Sequence, residues 1–400
     1  MEKLECFFCR KQYPLDIFFP FCPRCSEPLL VPTPSRRRTF SLKKKYSLEQ
    51  FLEFLPLSKV DLELSLGEGN TPLVPLNRIR TQKRLPFVFA KNESTNPTAS
   101  FKDRGTSVAI QKAVSLGLQR VGTVSTGNMA ASTAAYAARA GVQSVIFVKK
   151  ETSPEKVLST NIYRPLLVKI RGDYSRLFYK SFDIGKKYGI YFMNSVDPFR
   201  IEGYKATGFE IFFQLGRRLP QYVFVPVSSG GHLIGLIRAF HDLRKEGLTQ
   251  SFPRFIGIQA RGCAPLAQAY ARGQTKFKEY KNPNTIAHAI SNPNPPGGNI
   301  ALELIRSSQG MILSVSDEEI LTAQKWLAEC EGIFCDPASA TTLAGLLRLS
   351  KTGKLNIRDK VVLIITGSGL KTLGDLEISD TNIPEIFLSS LDKQIPHMLL

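Results

Sequence analysis

The chain reads as an α/β protein: parallel sheets wrapped by helices, preceded by a small cysteine ribbon. Three observations predict it. Short apolar runs alternate with amphipathic segments of helical spacing along most of the chain. Turns rich in glycine, serine and threonine stand where a run ends and a helical segment begins. Two Cys-x-x-C pairs lie close together near the N-terminus.

The strand-like runs are Leu85 to Ala90, Arg120 to Val124, Ser144 to Val148, Tyr222 to Val227, Phe255 to Ile258 and Val361 to Ile365. The helix candidates are Ala130 to Arg139, Ser175 to Tyr188, Leu233 to Arg244, Asp317 to Cys330 and Ser339 to Leu349, with helical spacing also at Val108 to Val114. Ligands in such folds sit at the carboxyl ends of the strands. The ribbon occupies residues 1–31 and a basic, proline-bearing linker with a helix occupies 32–59. A stretch without pattern, 380–400, reads as a tail or an interface strap.

At 400 residues, 43% hydrophobic and 22% charged, the composition is that of a globular protein with a sizeable core. No apolar run reaches the ~18 residues of a membrane helix. Met1 to Cys6 lacks the apolar core of a secretory signal, so a cytoplasmic location is expected. The net charge is +19, part of it in Arg36-Arg37-Arg38 and Lys43-Lys44-Lys45. A basic surface draws anionic substrates. Nucleic-acid binding is the other reading, but no motif for it accompanies the charge.

Cys6-Phe7-Phe8-Cys9 and Cys22-Pro23-Arg24-Cys25 suit a tetrahedral Zn²⁺ ion better than disulfides. Four thiolate ligands close the coordination sphere, so such an ion holds structure and does no chemistry. A metal-free remnant or a redox pair is the alternative. Cys263, Cys330 and Cys335 are scattered and read as packing residues.

The segment Asn96-Pro97-Thr98-Ala99-Ser100-Phe101-Lys102-Asp103-Arg104-Gly105 follows a strand and opens a helix. A lysine held there can form an imine with an aldehyde cofactor if burial leaves its amine neutral. The plain alternative is a surface Lys-Asp-Arg cluster at a helix start. Three strand-end loops accompany it. Ser125-Thr126-Gly127-Asn128 offers hydroxyl, amide and helix N-terminal N–H groups, with Asn128 also placed to cap the helix. Ser228-Ser229-Gly230-Gly231-His232-Leu233 can fold closely around a phosphate at a helix start. Thr366-Gly367-Ser368-Gly369 puts a neutral hydroxyl where a pyridine nitrogen can be met. An aldehyde-binding lysine, a phosphate cup and such a hydroxyl describe a pyridoxal-phosphate site.

These residues resemble the fold type II pyridoxal-phosphate enzymes, of the tryptophan synthase β-like kind, and most closely the threonine synthase family. Gly67-Glu68-Gly69-Asn70-Thr71-Pro72-Leu73, the full lysine segment, Asn194 to Gly203, Glu331-Gly332-Ile333 and Pro337-Ala338-Ser339-Ala340 are similar to that family's stretches, and some members carry an N-terminal zinc ribbon. The resemblance implies a large cofactor domain from 60–95 and 206–379, and a small domain, 96–205, with the lysine at its start. It implies that Lys102 carries the cofactor and shuttles protons. Asn128 meets the ring hydroxyl, Ser229, Gly230, Gly231, His232 and Leu233 cradle the cofactor phosphate, and Thr366 faces the pyridine nitrogen. Ser125 and Thr126 hold the substrate carboxylate, and Asn194, Ser195 and Arg200 grip a substrate phosphate. An arginine fork suits a phosphate monoester; a surface pair with Glu202 is the plain alternative for Arg200.

The implied activity is conversion of O-phospho-L-homoserine and water to L-threonine and phosphate by a homodimeric lyase. Departures from the family pattern leave room for a paralogue running β-replacement on O-phosphoserine or a related activated amino acid. They are the Ser228-Ser229-Gly230-Gly231-His232 loop, Tyr204 for glutamine, Ser368 for histidine, Thr372 for aspartate, and no arginine near Ala289 to Pro293. A non-catalytic protein on the same scaffold is the remaining reading, opposed by the intact Lys102 and glycine loop.

Overall fold

The computed structural model describes residues 3–33, 37–45, 47–150, 152 and 154–375. The expected tail, 380–400, lies outside the described residues, as does Arg36. In chain order the strands are β1 (Lys3–Cys6), β2 (Gln12–Pro14), β3 (Leu29–Leu30), β4 (Leu73–Pro75), β5 (Phe87–Asn92), β6 (Arg120–Val124), β7 (Gln143–Lys149), β8 (Leu166–Ile170), β9 (Tyr191–Phe192), β10 (Tyr222–Pro226), β11 (Arg254–Ala260), β12 (Met311–Val315) and β13 (Lys360–Ile365). The helices are α1 (Ser47–Gln50), α2 (Asn77–Lys83), α3 (Lys102–Ser115), α4 (Asn128–Arg139), α5 (Pro154–Asn161), α6 (Tyr174–Tyr188), α7 (Pro198–Gln214), α8 (Gly231–Lys245), α9 (Pro265–Ala271), α10 (Gly298–Ser307), α11 (Asp317–Glu331) and α12 (Pro337–Ser350).

Three sheets result. The N-terminal ribbon is antiparallel, in the order β2-β1-β3. A six-stranded sheet runs β12-β11-β10-β13-β5-β4, parallel except for the edge strand β4. A four-stranded sheet runs β8-β7-β6-β9, parallel throughout. The central strands β10 and β13 are almost wholly buried, which is why they read as unbroken apolar runs. The expected α/β class, with parallel sheets behind a cysteine ribbon, is the one found.

Helix α7 shows no amphipathic period in the sequence, because Pro198 to Phe212 are buried on every side. Its N-terminus is set by Asp197, whose carboxylate accepts from the N–H groups of Phe199 and Arg200 at 3.0 and 2.9 Å. A Cβ on Gly203 would press into the Arg104 carbonyl of α3, so α7 can lie this close to the lysine helix only with glycine there.

The basic linker is less exposed than its composition suggests. Arg38 is buried, pairs with Asp242 at 3.0 Å and Glu246 at 2.9 Å, and lies over the Phe54 ring. Beneath the sheets, Arg104 pairs with Glu93 and Glu210, and Lys91 pairs with Glu210 at 2.6 Å, in a fully buried network.

Candidate active site

Lys102 is the first residue of α3, and its turn is clipped to the loop after β13. Phe101 N–H donates to the Thr366 carbonyl at 3.0 Å, and Ser100 bridges to Gly367. Asp103 closes the turn from the other side, accepting from the Thr98 N–H and hydroxyl at 2.6 Å each. The Lys-Asp-Arg run is therefore no surface cluster: Asp103 and Arg104 are buried and only the lysine faces open space. The Lys102 amine lies over the Phe101 ring at 3.9 Å. Burial, followed by the neighbouring Arg200 cation, takes its pKa from 10.5 down to about 7, against a smaller pull from Asp336.

The open space is a cavity of ≈ 1330 Å³, into which all three strand-end loops project. Ser125, Thr126 and Asn128 come from the end of β6. Asn128 does not cap α4; Gly127 holds the cap position, and Asn128 lines the cavity instead. Ser229, Gly230, Gly231, His232 and Leu233 come from the end of β10. Gly230 has φ +93°, and a Cβ there would stand 2.7 Å from the Gly297 carbonyl oxygen. No side chain caps α8, so its first N–H groups are left for an anion. Thr366 comes from the end of β13, its Oγ1 2.9 Å from Ser339 Oγ.

Ser195 also lines the cavity, but two expected residues do not. Asn194 is fully buried and latches the small sheet together. Its Oδ1 accepts from the Val124 N–H and the Thr123 hydroxyl, and its Nδ2 donates to Ser181 at 3.0 Å. Arg200 is fully buried behind the cavity wall, where Nε approaches the Tyr204 hydroxyl and Nη2 the Lys102 carbonyl, both at 3.4 Å. The surface pair with Glu202 does not exist; Glu202 binds Lys205 at 2.6 Å and Arg238 at 2.8 Å.

Sequence reasoning missed Asp336 and Lys371, which both line the cavity. Asp336 caps α12, accepting from the Ser339 N–H and hydroxyl at 2.8 and 2.5 Å, and burial raises its pKa. An Asp-Pro-x-Ser string reads as a plain helix cap, which hides its second position beside the lysine. The Lys371 amine donates to the Thr98 carbonyl at 2.8 Å, and burial lowers its pKa.

At the N-terminus, Cys6, Cys9, Cys22 and Cys25 put their Sγ atoms within 4.8 Å of one another, none in a disulfide. Each knuckle closes by hydrogen bonds, Arg10 N–H to the Cys6 carbonyl and Ser26 N–H to the Cys22 carbonyl.

The cavity suits pyridoxal phosphate on its own terms. It offers an amine partly neutral near pH 7, a glycine-lined helix N-terminus for the phosphate, and an uncharged hydroxyl at the opposite loop. Residues 64–367 match the family model described as pyridoxal-phosphate dependent enzyme. The chain is 38% identical over 330 residues to a threonine synthase of Methanocaldococcus jannaschii, covering 82% of each chain. It is 35% identical over 374 residues to a threonine synthase of Methanosarcina acetivorans, covering 93% of this chain and 92% of the relative. Among solved structures it resembles the processed threonine deaminase isoform 2 of Solanum lycopersicum, with TM-score 0.65 and 19% identity over 96% of this chain and 97% of that one. Maize serine racemase gives 0.63 at 19% identity over 83% and 93%. These last two likenesses speak for the fold alone. With the family model and the curated relatives covering most of its length, the chain belongs to the pyridoxal-phosphate-dependent enzymes and, among them, to the threonine synthase family.

Proposed function

We propose that the protein is a lyase converting O-phospho-L-homoserine and water to L-threonine and phosphate. The observation that carries the substrate class is Arg200. It is a fully buried guanidinium with no ion pair among the described residues, and its Nη1 has no hydrogen-bond partner. The Asp197 carboxylate at the start of the same helix acts on it without forming an ion pair, and a buried cation left without an ion pair is costly. This one lies against the lysine of the site, where a phosphate monoester would supply the pairing charge.

Bound pyridoxal phosphate supplies the electron sink for carbanionic steps. The chain supplies grip, orientation and proton transfer. Gly230, Gly231, His232 and Leu233 hold the cofactor phosphate through backbone N–H groups, with Ser229 beside them. Asn128 meets the ring hydroxyl and Thr366 the ring nitrogen. Ser125 and Thr126 bind the substrate carboxylate, with Ser195 and Arg200 at its phosphate. Asn194 serves by fixing the strands beneath. With a pKa of about 7, the Lys102 amine can take the Cα proton of the substrate and return protons further along the chain.

The four-cysteine ribbon holds Zn²⁺ in this reading, as structure only. At a Zn–S distance of ~2.3 Å, tetrahedral sulfurs lie about 3.8 Å apart, and Cys9 and Cys22 stand at 3.8 Å. Free thiols suit a cytoplasmic setting; the homodimer is carried over from the family resemblance.

The test is product analysis with O-phosphohomoserine and O-phosphoserine side by side. Threonine and phosphate from the first support the reading. A β-replacement product from the second alone overturns it. Arg200→Ala should lower kcat/KM on phosphohomoserine by at least about tenfold with cofactor absorbance unchanged. Arg200→Lys should recover part, since it keeps the charge and loses the planar fork.

A further inference from the structure

His232 is a further buried side chain whose polar atoms are unpartnered among the described residues. It is 7% exposed, lies flat on Phe101 with ring centroids 3.9 Å apart, and meets Tyr204 edge-on at 5.4 Å. Among the described residues neither Nδ1 nor Nε2 has a hydrogen-bond partner. Buried polar atoms are almost always partnered, so an imidazole with both nitrogens idle points to a ligand. It lines the cavity, and the Tyr204 ring joins it to Arg200, whose Nη1 is likewise without a partner among the described residues.

The charges that act directly on this ring are cations, while the carboxylates around it face its neighbours. Glu93 and Glu210 pair with Arg104, Asp103 and Asp197 act on Tyr204, and Asp336 acts on Lys102. Lys102 and Arg104 face it from α3, and Arg200 lies on α7 beside the neutral Tyr204 hydroxyl. Burial and these cations hold the imidazole neutral. In the loaded enzyme the cofactor phosphate lies in the adjoining backbone cup, and an entering phosphate dianion adds two further negative charges, which favour the charged form of histidine.

We propose that His232 is the proton-accepting half of the substrate-phosphate seat whose other half is Arg200, so that a phosphate dianion enters together with a proton from solvent. The proton rests on the imidazole nitrogen facing the phosphate oxygen and returns to solvent when phosphate leaves. The Tyr204 hydroxyl, held among the described residues by its long contact to Arg200, yields its place to a phosphate oxygen. An asparagine side chain at 232 could donate a hydrogen bond but could not take up the proton. The proposal rests on the phosphate grip assigned to Arg200.

The test is calorimetric titration of inorganic phosphate into the cofactor-loaded enzyme, in buffers of different ionisation enthalpy. It is run at about pH 8, above the second pKa of a phosphate group, near 6 for a monoester. The wild type should take up a proton on binding, and its phosphate affinity should fall by up to about tenfold per pH unit. His232→Asn and His232→Gln should bind phosphate without proton uptake, with cofactor absorbance reporting that each variant is folded. Uptake that persists in both variants overturns the proposal. So does wild-type binding without uptake, or uptake that accompanies cofactor loading of the apoenzyme in place of phosphate binding. If Arg200→Ala binds phosphate as the wild type does, the Arg200 reading fails on its own, whatever His232 does. If the wild type binds no phosphate, both fail.

Discussion

Arg200 Nη2 approaches the backbone carbonyl of Lys102 at 3.4 Å, setting a second cation against the amine that is to carry the cofactor. Burial and this neighbour together bring the Lys102 pKa to about 7. Capture of the aldehyde by apoenzyme should therefore rise about tenfold per pH unit up to about 7 and then level off, since only the neutral amine reacts. Borohydride trapping and mass spectrometry of the labelled lysine give the profile. Arg200→Leu should move the midpoint upward, though not to the ordinary 10.5, because burial is the larger cause. The sign for stability follows. Between about 7 and 10.5 the unfolded chain holds a proton on this lysine that the folded apoenzyme lacks, so this group makes stability rise with pH across that window. A wild-type midpoint near 10.5, or label on another lysine, would remove Lys102 from its place.

Gly230 tests the phosphate cup without touching any charge. An alanine there must hold φ near +93° and push the Gly297 carbonyl, 2.7 Å from its Cβ. Left-handed backbone alone costs about 1–2 kcal/mol for a residue with a Cβ. Gly230→Ala should lower cofactor affinity by about tenfold or more while far-ultraviolet circular dichroism stays at the wild-type level. Wild-type cofactor affinity would show that the loop is not the phosphate cradle.

The ribbon's own core is small, Leu4, Cys6, Cys22 and Leu29, while Phe21 and Leu30 pack into the cores of the body. A module of this size needs a staple. Freshly reduced protein should contain one zinc ion per chain by elemental analysis. Cys22→Ser or strong chelation should melt the ribbon at a lower temperature while the cofactor band stays in place. Reduced protein with no zinc and an unchanged melting profile would mean that the four thiols pack without an ion.

Much of this is legible in the sequence, for identifiable reasons. Val361 to Ile365 and Tyr222 to Val227 read as strands because both faces of their sheet are covered, leaving unbroken apolar runs. Loops such as Ser228 to Gly231 stood out because glycine and hydroxyl residues interrupt those runs where a helix begins. Helix α7 was not legible, since a helix buried on every side has no polar face to set a period. Asn194 does not line the cavity, and a buried amide that ties a strand to a helix looks, as a letter, like one that grips a ligand. The idle nitrogens of His232 are a property of its surroundings and leave no trace in sequence.

Glu210 carries the sharpest stability prediction. Its carboxylate accepts from the Lys91 amine at 2.6 Å, from both terminal nitrogens of Arg104 at 2.7 Å, from the Ser47 hydroxyl at 2.8 Å and from the Asn70 N–H at 2.8 Å. Burial opposes the charge, but Arg104 and Lys91 outweigh it and hold the carboxyl well below its usual range. Its stabilising contribution is thus present above the ordinary glutamate pKa of 4.5 and fades as pH falls below it. Glu210→Gln removes one of two carboxylates from a buried cluster with two cations, leaving Glu93 to face both. Breaking such a pair by removing one partner costs about 3–5 kcal/mol. Urea denaturation at neutral pH should show a loss of that order, and adding Lys91→Met should restore part of it by removing the uncompensated ammonium. The glutamine oxygen can still accept from the Asn70 N–H, but its amide NH2 stands where the other carboxylate oxygen accepted from Lys91 and Arg104. A loss under about 1 kcal/mol, within the range of an exposed pair, would mean that water reaches the cluster and that the network does not anchor the lysine helix.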